Sequence, residues 1–425
     1  MSPPRRSRTA PAELLTARDA AALLDVKPAS LYAYVSRGLL TSVPGPRGPS
    51  RLYARSEVER LKARHEARAG HGAVAAGALR FGEPVLESAL TGIDARGPRY
   101  RGHVATELAR ADTPFEAVAE LLWSDAAPDD GRLPPPFALD ARALARAGER
   151  LRSLGRLVPR GEAPLSTLAL VVAAFALGDA ARFDAPPAVE RARARELLRI
   201  LAAAAALPLD PRRVAPALAA PSVAASLAVS LGARPTHLAR QRINRALVVI
   251  ADHELNPSSF AARVAASTGA DLYACLGAAL GALSGPVHGG ATARVEALVA
   301  ETKRPERAPG VIDERARRGD ALPGFGHSLY PEGDPRATLL LSQSEPVKLA
   351  ERTLAALVTS MRAARREPPN VDLGLVATAL ALGLPAGSAA VLFAVGRAAG
   401  WLAHVFEQRA AGFVLRPRAR YTGPS

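Results

Sequence analysis

Three short stretches in the second half of this 425-residue chain each place one reactive side chain in a turn bounded by glycine or proline. They are SGPVHGG at 284–290, PGFGHSLYPEGDPRA at 323–337 and NVDLGL at 370–375. His288 lies between Pro286 and a glycine pair, His327 follows Gly-Phe-Gly, and Asp372 follows Pro-Pro-Asn-Val. Imidazole and carboxylate are the side chains best suited to proton transfer near neutral pH. Gly and Pro fix tight turns and let backbone approach a ligand closely. Three such turns, each flanked by helical text, read as parts of one site. Other chemistries find no support. There is no Cys pair and no H-E-x-x-H, and the histidines are scattered, so no metal site is expected. Neither a G-x-S-x-G elbow, a Rossmann fingerprint nor a Walker loop occurs.

The elements that must position these turns are helices. From about residue 80 the text is Ala/Leu/Val/Arg-rich with 3.6-type spacing, broken by Pro and Gly; FEAVAELLW, PTHLARQRINRALVVIADHEL and PVKLAERTLAALVTSMRAA are examples. Strand signals are few, and an all-α fold is predicted. The length suits two or three domains with ample core. Hydrophobic content of 48% and a mean hydropathy of +0.05 suit a soluble protein. The apolar runs LALVVAAFAL and ILAAAAALPL fall short of the roughly 20 residues a membrane span needs. MSPPRRSRTAPAE has arginines but no apolar run after them, unlike a secretory signal. The single Cys275 fits a helix core and a reducing cytosol, so a cytoplasmic protein without a membrane partner is expected.

Charge is unevenly spread. Of the formal net +15, residues 1–68 carry +7, a concentrated basic patch of the kind that nucleic-acid binding uses. Residues 1–12 read as a disordered basic arm. Two short helices follow in LLTARDAAALLDVKPASLYAYVSRGLL. Thr16 caps the first with Asp19 as its box partner, Asp25-Val26-Lys27 turns the chain, Pro28 opens the second helix and Gly38 ends it. LTSVPGPRGPSRLY makes two strand-like pieces around a Gly/Pro/Arg turn, and Ser56-Glu57-Val58-Glu59 opens a third helix to about Arg68. This order resembles the winged helix-turn-helix of the MerR and excisionase type. The resemblance implies a second helix in the major groove, with Ser30, Tyr32, Tyr34, Ser36 and Arg37 near bases or phosphates and Arg47 and Arg51 reaching the backbone from the wing. A trihelical module docking on a protein partner is the alternative. Residues 69–79 read as a linker.

The three turns, together with ADHELNPSSFAARVAAST at 251–268, GRAAGWLAHVFEQ at 396–408 and LRPRARYTGP at 415–424, resemble the citrate synthase family over roughly residues 80–425. That likeness implies a large helical domain (80–290 and 379–425), a smaller one (291–378) with the site between them, and at least a homodimer. The implied reaction is condensation of an acyl-CoA with oxaloacetate, with acyl-CoA as co-substrate and no other cofactor. At the family's motif positions Asp372 matches the base, His288 the enolate stabiliser and His327 the polariser of the ketone. His253 matches a further oxaloacetate contact, Arg336 and Arg397 match carboxylate ligands, and Arg416 matches an arginine supplied by the partner subunit. His404 reads as structural or near the site, and Trp401 as core. The chain departs from the family's pattern at Thr292 (usually Asn), Leu373 (usually Phe) and Ile250 (His in many members). After His327, Ser328-Leu329-Tyr330-Pro331 replaces residues among which the family has basic ones, which bears on the CoA phosphates. The likeness leaves open propionyl-CoA as the acyl donor. It also leaves open a DNA-binding regulator with a synthase-like body that senses a metabolite.

Overall fold

The computed structural model of the protein describes residues 14–24, 26–36, 40–45, 51–55, 57, 58, 61, 86–124, 137, 139–183, 185–343, 346–417, 421 and 423. The basic arm, Arg37, Gly38, Arg47, Ser56, most of the third helix and the 69–79 linker lie outside the described residues. Contacts divide the chain into two compact units, residues 1–87 with 416–425, and residues 88–415.

In the first unit, strands β1 (Leu14–Thr16), β2 (Ser42–Pro44) and β3 (Arg51–Ala54) form an antiparallel sheet in the order β1-β3-β2. Leu15 stands opposite Tyr53, and Val43 opposite Leu52. Strands β2 and β3 are the two pieces expected of the wing. β1 was not predicted, because three residues show no alternation. Between β1 and β2 come the helices Ala17–Leu23 and Pro28–Ser36. Thr16 caps the first as expected: its Oγ1 accepts from the Asp19 amide at 3.2 Å and donates to Asp19 Oδ2 at 2.7 Å. Ala20, Ala21, Leu24, Leu31, Leu40, Tyr53, Val58 and Leu61 form its own small core, with Leu31 fully buried.

The second unit is almost wholly helical. Its one sheet among the described residues is a short antiparallel meander, β4 (Thr91–Asp94), β5 (Gly97–Tyr100) and β6 (His103–Val104). This was not predicted either, since ALTGIDARGPRYRGHV is rich in Gly and Arg and lacks period-two alternation. The centre of the unit is the helix Ser388–Ala411, against which the helices Phe115–Trp123, His237–Ile250, Pro257–Ser267, Leu272–Leu283 and Val371–Leu382 pack. At 24 residues it is long and apolar enough to cross a membrane, yet 89% of its most apolar window is buried inside the protein. That burial identifies it as a core helix. The expected inner boundary at 290 coincides with the start of the helix Ala291–Thr302, whereas that at 378 falls within Val371–Leu382.

Candidate active site

The turn that carries His253 follows directly from the helix His237–Ile250. Ala251, Asp252 and His253 leave the helix, Glu254 takes a left-handed φ of 51°, and Asn256 caps the next helix, Pro257–Ser267. A non-glycine residue in that region is uncommon and is held there by its surroundings. The Asn256 carboxamide oxygen accepts from the Ser258 and Ser259 amides, both at 3.2 Å, so the N-cap side chain also places Ser258.

The second and third turns are joined. Gly324 and Gly326 have φ of +87° and +77°. A Cβ on Gly324 would lie 2.8 Å from Val295 Cγ2, and one on Gly326 would lie 2.5 Å from the Glu367 carboxylate. With no side chain at either glycine, this strip pairs with 368–370 through Phe325 opposite Pro369. The Gly326 amide donates to Pro368 O at 2.8 Å, the Asn370 amide to Gly324 O at 2.9 Å, and Asn370 Nδ2 to Gly326 O at 3.0 Å. Asn370 also caps the helix Val371–Leu382 through the Asp372 amide, at 3.1 Å. Asp334 completes the junction. It receives Arg336 Nε and Nη2 at 2.9 and 2.8 Å and the Val371 amide at 3.0 Å.

The structure thereby brings together six of the seven residues singled out from the sequence. The rings of His253 and His327 are 5.3 Å apart, and both lie against Tyr330. The Arg336 guanidinium lies over the Tyr330 ring at 5.3 Å. Of the remaining three, His288 and Arg397 both lie against Phe393, whose ring is 5.9 Å from the His288 ring and 4.9 Å from the Arg397 guanidinium, and Asp372 lies within the field of Arg336 and Arg397. Arg336 and Arg397 are each at most 2% exposed. Arg416, the seventh, is exposed and groups with the first unit.

Charge states follow from burial. Burial, reinforced by nearby arginines, lowers the pKa of His253 well below the ordinary value, brings His288 to about 4 and lowers His327. All three are therefore neutral at pH 7. His327 Nδ1 accepts the Leu329 amide at 3.2 Å, so its proton sits on Nε2. Tyr330, pushed up to about 12 by burial, keeps its proton, and its hydroxyl is hydrogen-bonded to His253 Nε2 at 2.9 Å. Asp372 goes the other way from an ordinary carboxylate. Burial raises it to about 6 against the pull of Arg336, and its Oδ1 is buried without a hydrogen-bond partner. Burial brings Arg397 down to about 10, still charged at neutral pH. A carboxylate poised near neutrality, three neutral imidazoles and two buried guanidiniums can together move a proton from carbon and hold a dianion.

Sequence reasoning missed several partners. Ser258 Oγ lies 2.9 Å from His288 Nε2, accepts the Trp401 indole N–H at 3.0 Å, and is 2.7 Å from Asn256 Oδ1. Trp401 is core as expected, but its N–H also serves the site. Tyr330 and Asp334 were visible only as loop residues beside His327. The capping pattern Asn-Pro-Ser-Ser was the available signal for Ser258.

In the first unit, Tyr32 is 66% exposed on the helix Pro28–Ser36, a position open to a nucleic acid. Ser30 is half-buried, and Tyr34 packs partly buried against the core, which turns much of its ring inward. Arg51 is exposed, and its Nη1 bonds Ser42 Oγ at 3.3 Å across the wing.

Comparison with known proteins makes the chain an acyltransferase-type condensing enzyme. The family model for the citrate synthase C-terminal domain matches residues 80–418, and a helix-turn-helix model matches residues 14–66. The chain belongs to the citrate synthase family and carries an N-terminal helix-turn-helix domain. It is 33% identical to a citrate synthase of Haloferax volcanii over 80% of this chain and 93% of that one. It is 30% identical to a 2-methylcitrate synthase of Mycobacterium tuberculosis over 76% and 84%. A solved citrate synthase of Thermoplasma acidophilum, in ternary complex with carboxymethyl coenzyme A and oxaloacetate, superposes with a TM-score of 0.67 at 26% identity. That match covers 80% of this chain and 94% of the other.

Proposed function

We propose that the chain condenses acetyl-CoA with oxaloacetate to give citrate and CoA. The observation that carries this reading is Asp372, whose Oδ1 is buried and unpartnered and whose pKa is raised to about 6, on a helix bonded directly to the His327 turn. In this reading the Asp372 carboxylate takes a proton from the methyl group beside the thioester. His288 donates to the enolate oxygen that forms. For that, its proton must sit on Nδ1, and the Ser258 hydroxyl proton, which in the structure goes to Asn256 Oδ1 at 2.7 Å, must turn to His288 Nε2; the Trp401 N–H fills an acceptor site on Ser258. The enolate carbon attacks the ketone carbon of oxaloacetate, whose oxygen accepts the Nε2 proton of His327. His253, Arg336 and Arg397 hold the two carboxylates, and Arg416 is supplied by the partner subunit of a homodimer. Water then cleaves the thioester and releases CoA.

The test is CoA release from acetyl-CoA with oxaloacetate, propionyl-CoA in parallel, in the intact chain and in Asp372→Ala. Turnover lost in the variant supports the reading, and the faster donor distinguishes citrate from 2-methylcitrate formation. No turnover with either donor refutes it. The first unit supports a second role, DNA binding through Tyr32, Arg51 and the residues around them. Affinity for duplex DNA should then fall steeply with salt, and a flat response would remove this role.

A further inference from the structure

We infer that Tyr330, to which neither the sequence motifs nor the condensation mechanism gives a part, is a positioning residue for oxaloacetate: its hydroxyl fixes the His253 imidazole and its ring supports the Arg336 guanidinium. The inference rests on the condensation reading, in which both of those residues hold carboxylates of the ketoacid.

The backbone fixes Tyr330 from both sides. Its amide donates to His327 O at 2.9 Å, and its carbonyl accepts the Gly333 amide at 3.0 Å. Two tight turns, 327–330 and 330–333, therefore meet at this residue. Gly333 closes the second with a φ of +126°, a conformation that favours glycine. The tyrosine so placed is only 3% exposed.

Three site residues close on that side chain. The hydroxyl is 2.9 Å from His253 Nε2. The ring centroid lies 4.9 Å from that of His327 and 5.7 Å from that of His253, and the Arg336 guanidinium stands over it at 5.3 Å. Burial keeps His253 neutral, so its imidazole has one N–H and one lone pair. A protonated phenol can donate or accept, so the bond orients the imidazole whichever nitrogen carries the hydrogen. Arg336 is restrained twice. Asp334 takes Nε and Nη2 at 2.9 and 2.8 Å, and the Tyr330 ring supports the guanidinium by cation–π contact. Its Nη1 is then the nitrogen left for a carboxylate. An imidazole and a guanidinium set in place beforehand lose little rotamer freedom when the substrate arrives. Without the hydroxyl, the substrate itself must order His253, and affinity falls.

The variants Tyr330→Phe, His253→Ala and the two combined, each in the full-length chain, form a double-mutant cycle. It is read by calorimetric titration with oxaloacetate and by steady-state turnover. Tyr330→Phe keeps the ring and removes one hydrogen bond, so the oxaloacetate Kd and KM should rise about fivefold, with the KM for acetyl-CoA unchanged. In the His253→Ala background the same substitution should have no further effect, because the hydroxyl acts through that imidazole. Tyr330→Leu removes the ring as well, and should weaken oxaloacetate binding about tenfold more than Tyr330→Phe. A merely structural tyrosine would lower the Tm of both variants and leave the oxaloacetate Kd where it was. Unchanged binding in Tyr330→Phe overturns the inference, and so do effects that multiply in the double variant or a Tyr330→Leu that binds as Tyr330→Phe does. Should the His253 or the Leu variant fail to fold, Tyr330→Phe decides alone. Tyr330-dependent binding without CoA release supports the inference and removes the condensation reading. Release of CoA with binding indifferent to Tyr330 does the reverse, and an unaltered chain that binds no oxaloacetate overturns both.

Discussion

Replacing Asp372 by asparagine should abolish turnover and make the protein more stable. The carboxyl is raised from its ordinary 3.8 to about 6, chiefly by burial. Above pH 6 both the folded and the unfolded chain hold it ionised, and the folded state bears the cost of burying that charge. At about 1.36 kcal/mol per pK unit, the difference amounts to about 3 kcal/mol. One effect opposes it. Asp372 lies in the first turn of the helix Val371–Leu382, where a negative charge gains about 0.3–1 kcal/mol from the helix dipole and an amide does not. Burial wins, and Asp372→Asn should gain about 2 kcal/mol at pH 8. The sign of the pH dependence is fixed. The penalty is fully present above the folded pKa, shrinks as pH falls from about 6 to about 4, and is gone once both states are protonated. Thermal melts of both proteins between pH 4 and 8 should show the variant ahead by about 2–4 °C at pH 8, with the gap closing toward pH 4. A variant that melts lower at pH 8, or a gap that does not change with pH, would refute the reasoning that Asp372 is a buried, destabilised base.

In the unaltered enzyme, kcat/KM should rise with pH to a plateau through an apparent pKa of about 6, the value of Asp372, because His288 takes up its proton only near 4; a pH profile measures this directly. Gly400→Ala places a Cβ 2.4 Å from Ala251 O and should cost about 3 kcal/mol in urea unfolding, since the neighbours are backbone and a buried carboxylate that cannot yield. Trp401→Phe removes the N–H donated to Ser258 at 3.0 Å. Turnover should then fall by about tenfold, the equivalent of one weakened hydrogen bond, with far-UV circular dichroism unchanged.

The three turns were legible in the sequence because glycine and proline mark where backbone must bend, and because His and Asp inside such bends are seldom core. The helices around them were legible from periodicity, which suffices for an amphipathic segment such as Ala141–Leu154 but says nothing about which helix lies at the centre. Ser388–Ala411 contains Arg397 and His404, two side chains that normally mark a solvent face, and both are buried. Only the fold shows that Asp252 lies beside His404 and within the field of Arg397, and that Asp334 holds Arg336. The same limit explains Ser258 and Tyr330, whose hydroxyls acquire their roles from imidazoles 30 and 77 residues away in the chain. The short strands β4–β6 escaped because tertiary packing, not local propensity, holds four-residue strands built from TGID and GPRY.

The energetics of Asp372 also separate catalysis from metabolite sensing. A body that only bound oxaloacetate would need its cations, and Arg336 and Arg397 would suffice, with Asp334 to hold the first. A second anion near those cations works against binding a dianion, both by repulsion and by competing for the guanidiniums. Asp372 does both: Arg336 and Arg397 already act on its buried carboxyl. A residue that costs stability and opposes substrate charge gives a binding site nothing in return, whereas proton abstraction from carbon requires such a group. The same calculation gives the two roles opposite signatures. If the chain is an enzyme, Asp372→Asn should bind oxaloacetate at least as tightly as the unaltered protein while losing turnover. If the carboxylate instead serves binding, the variant should bind more weakly, and calorimetry at pH 8 decides between them.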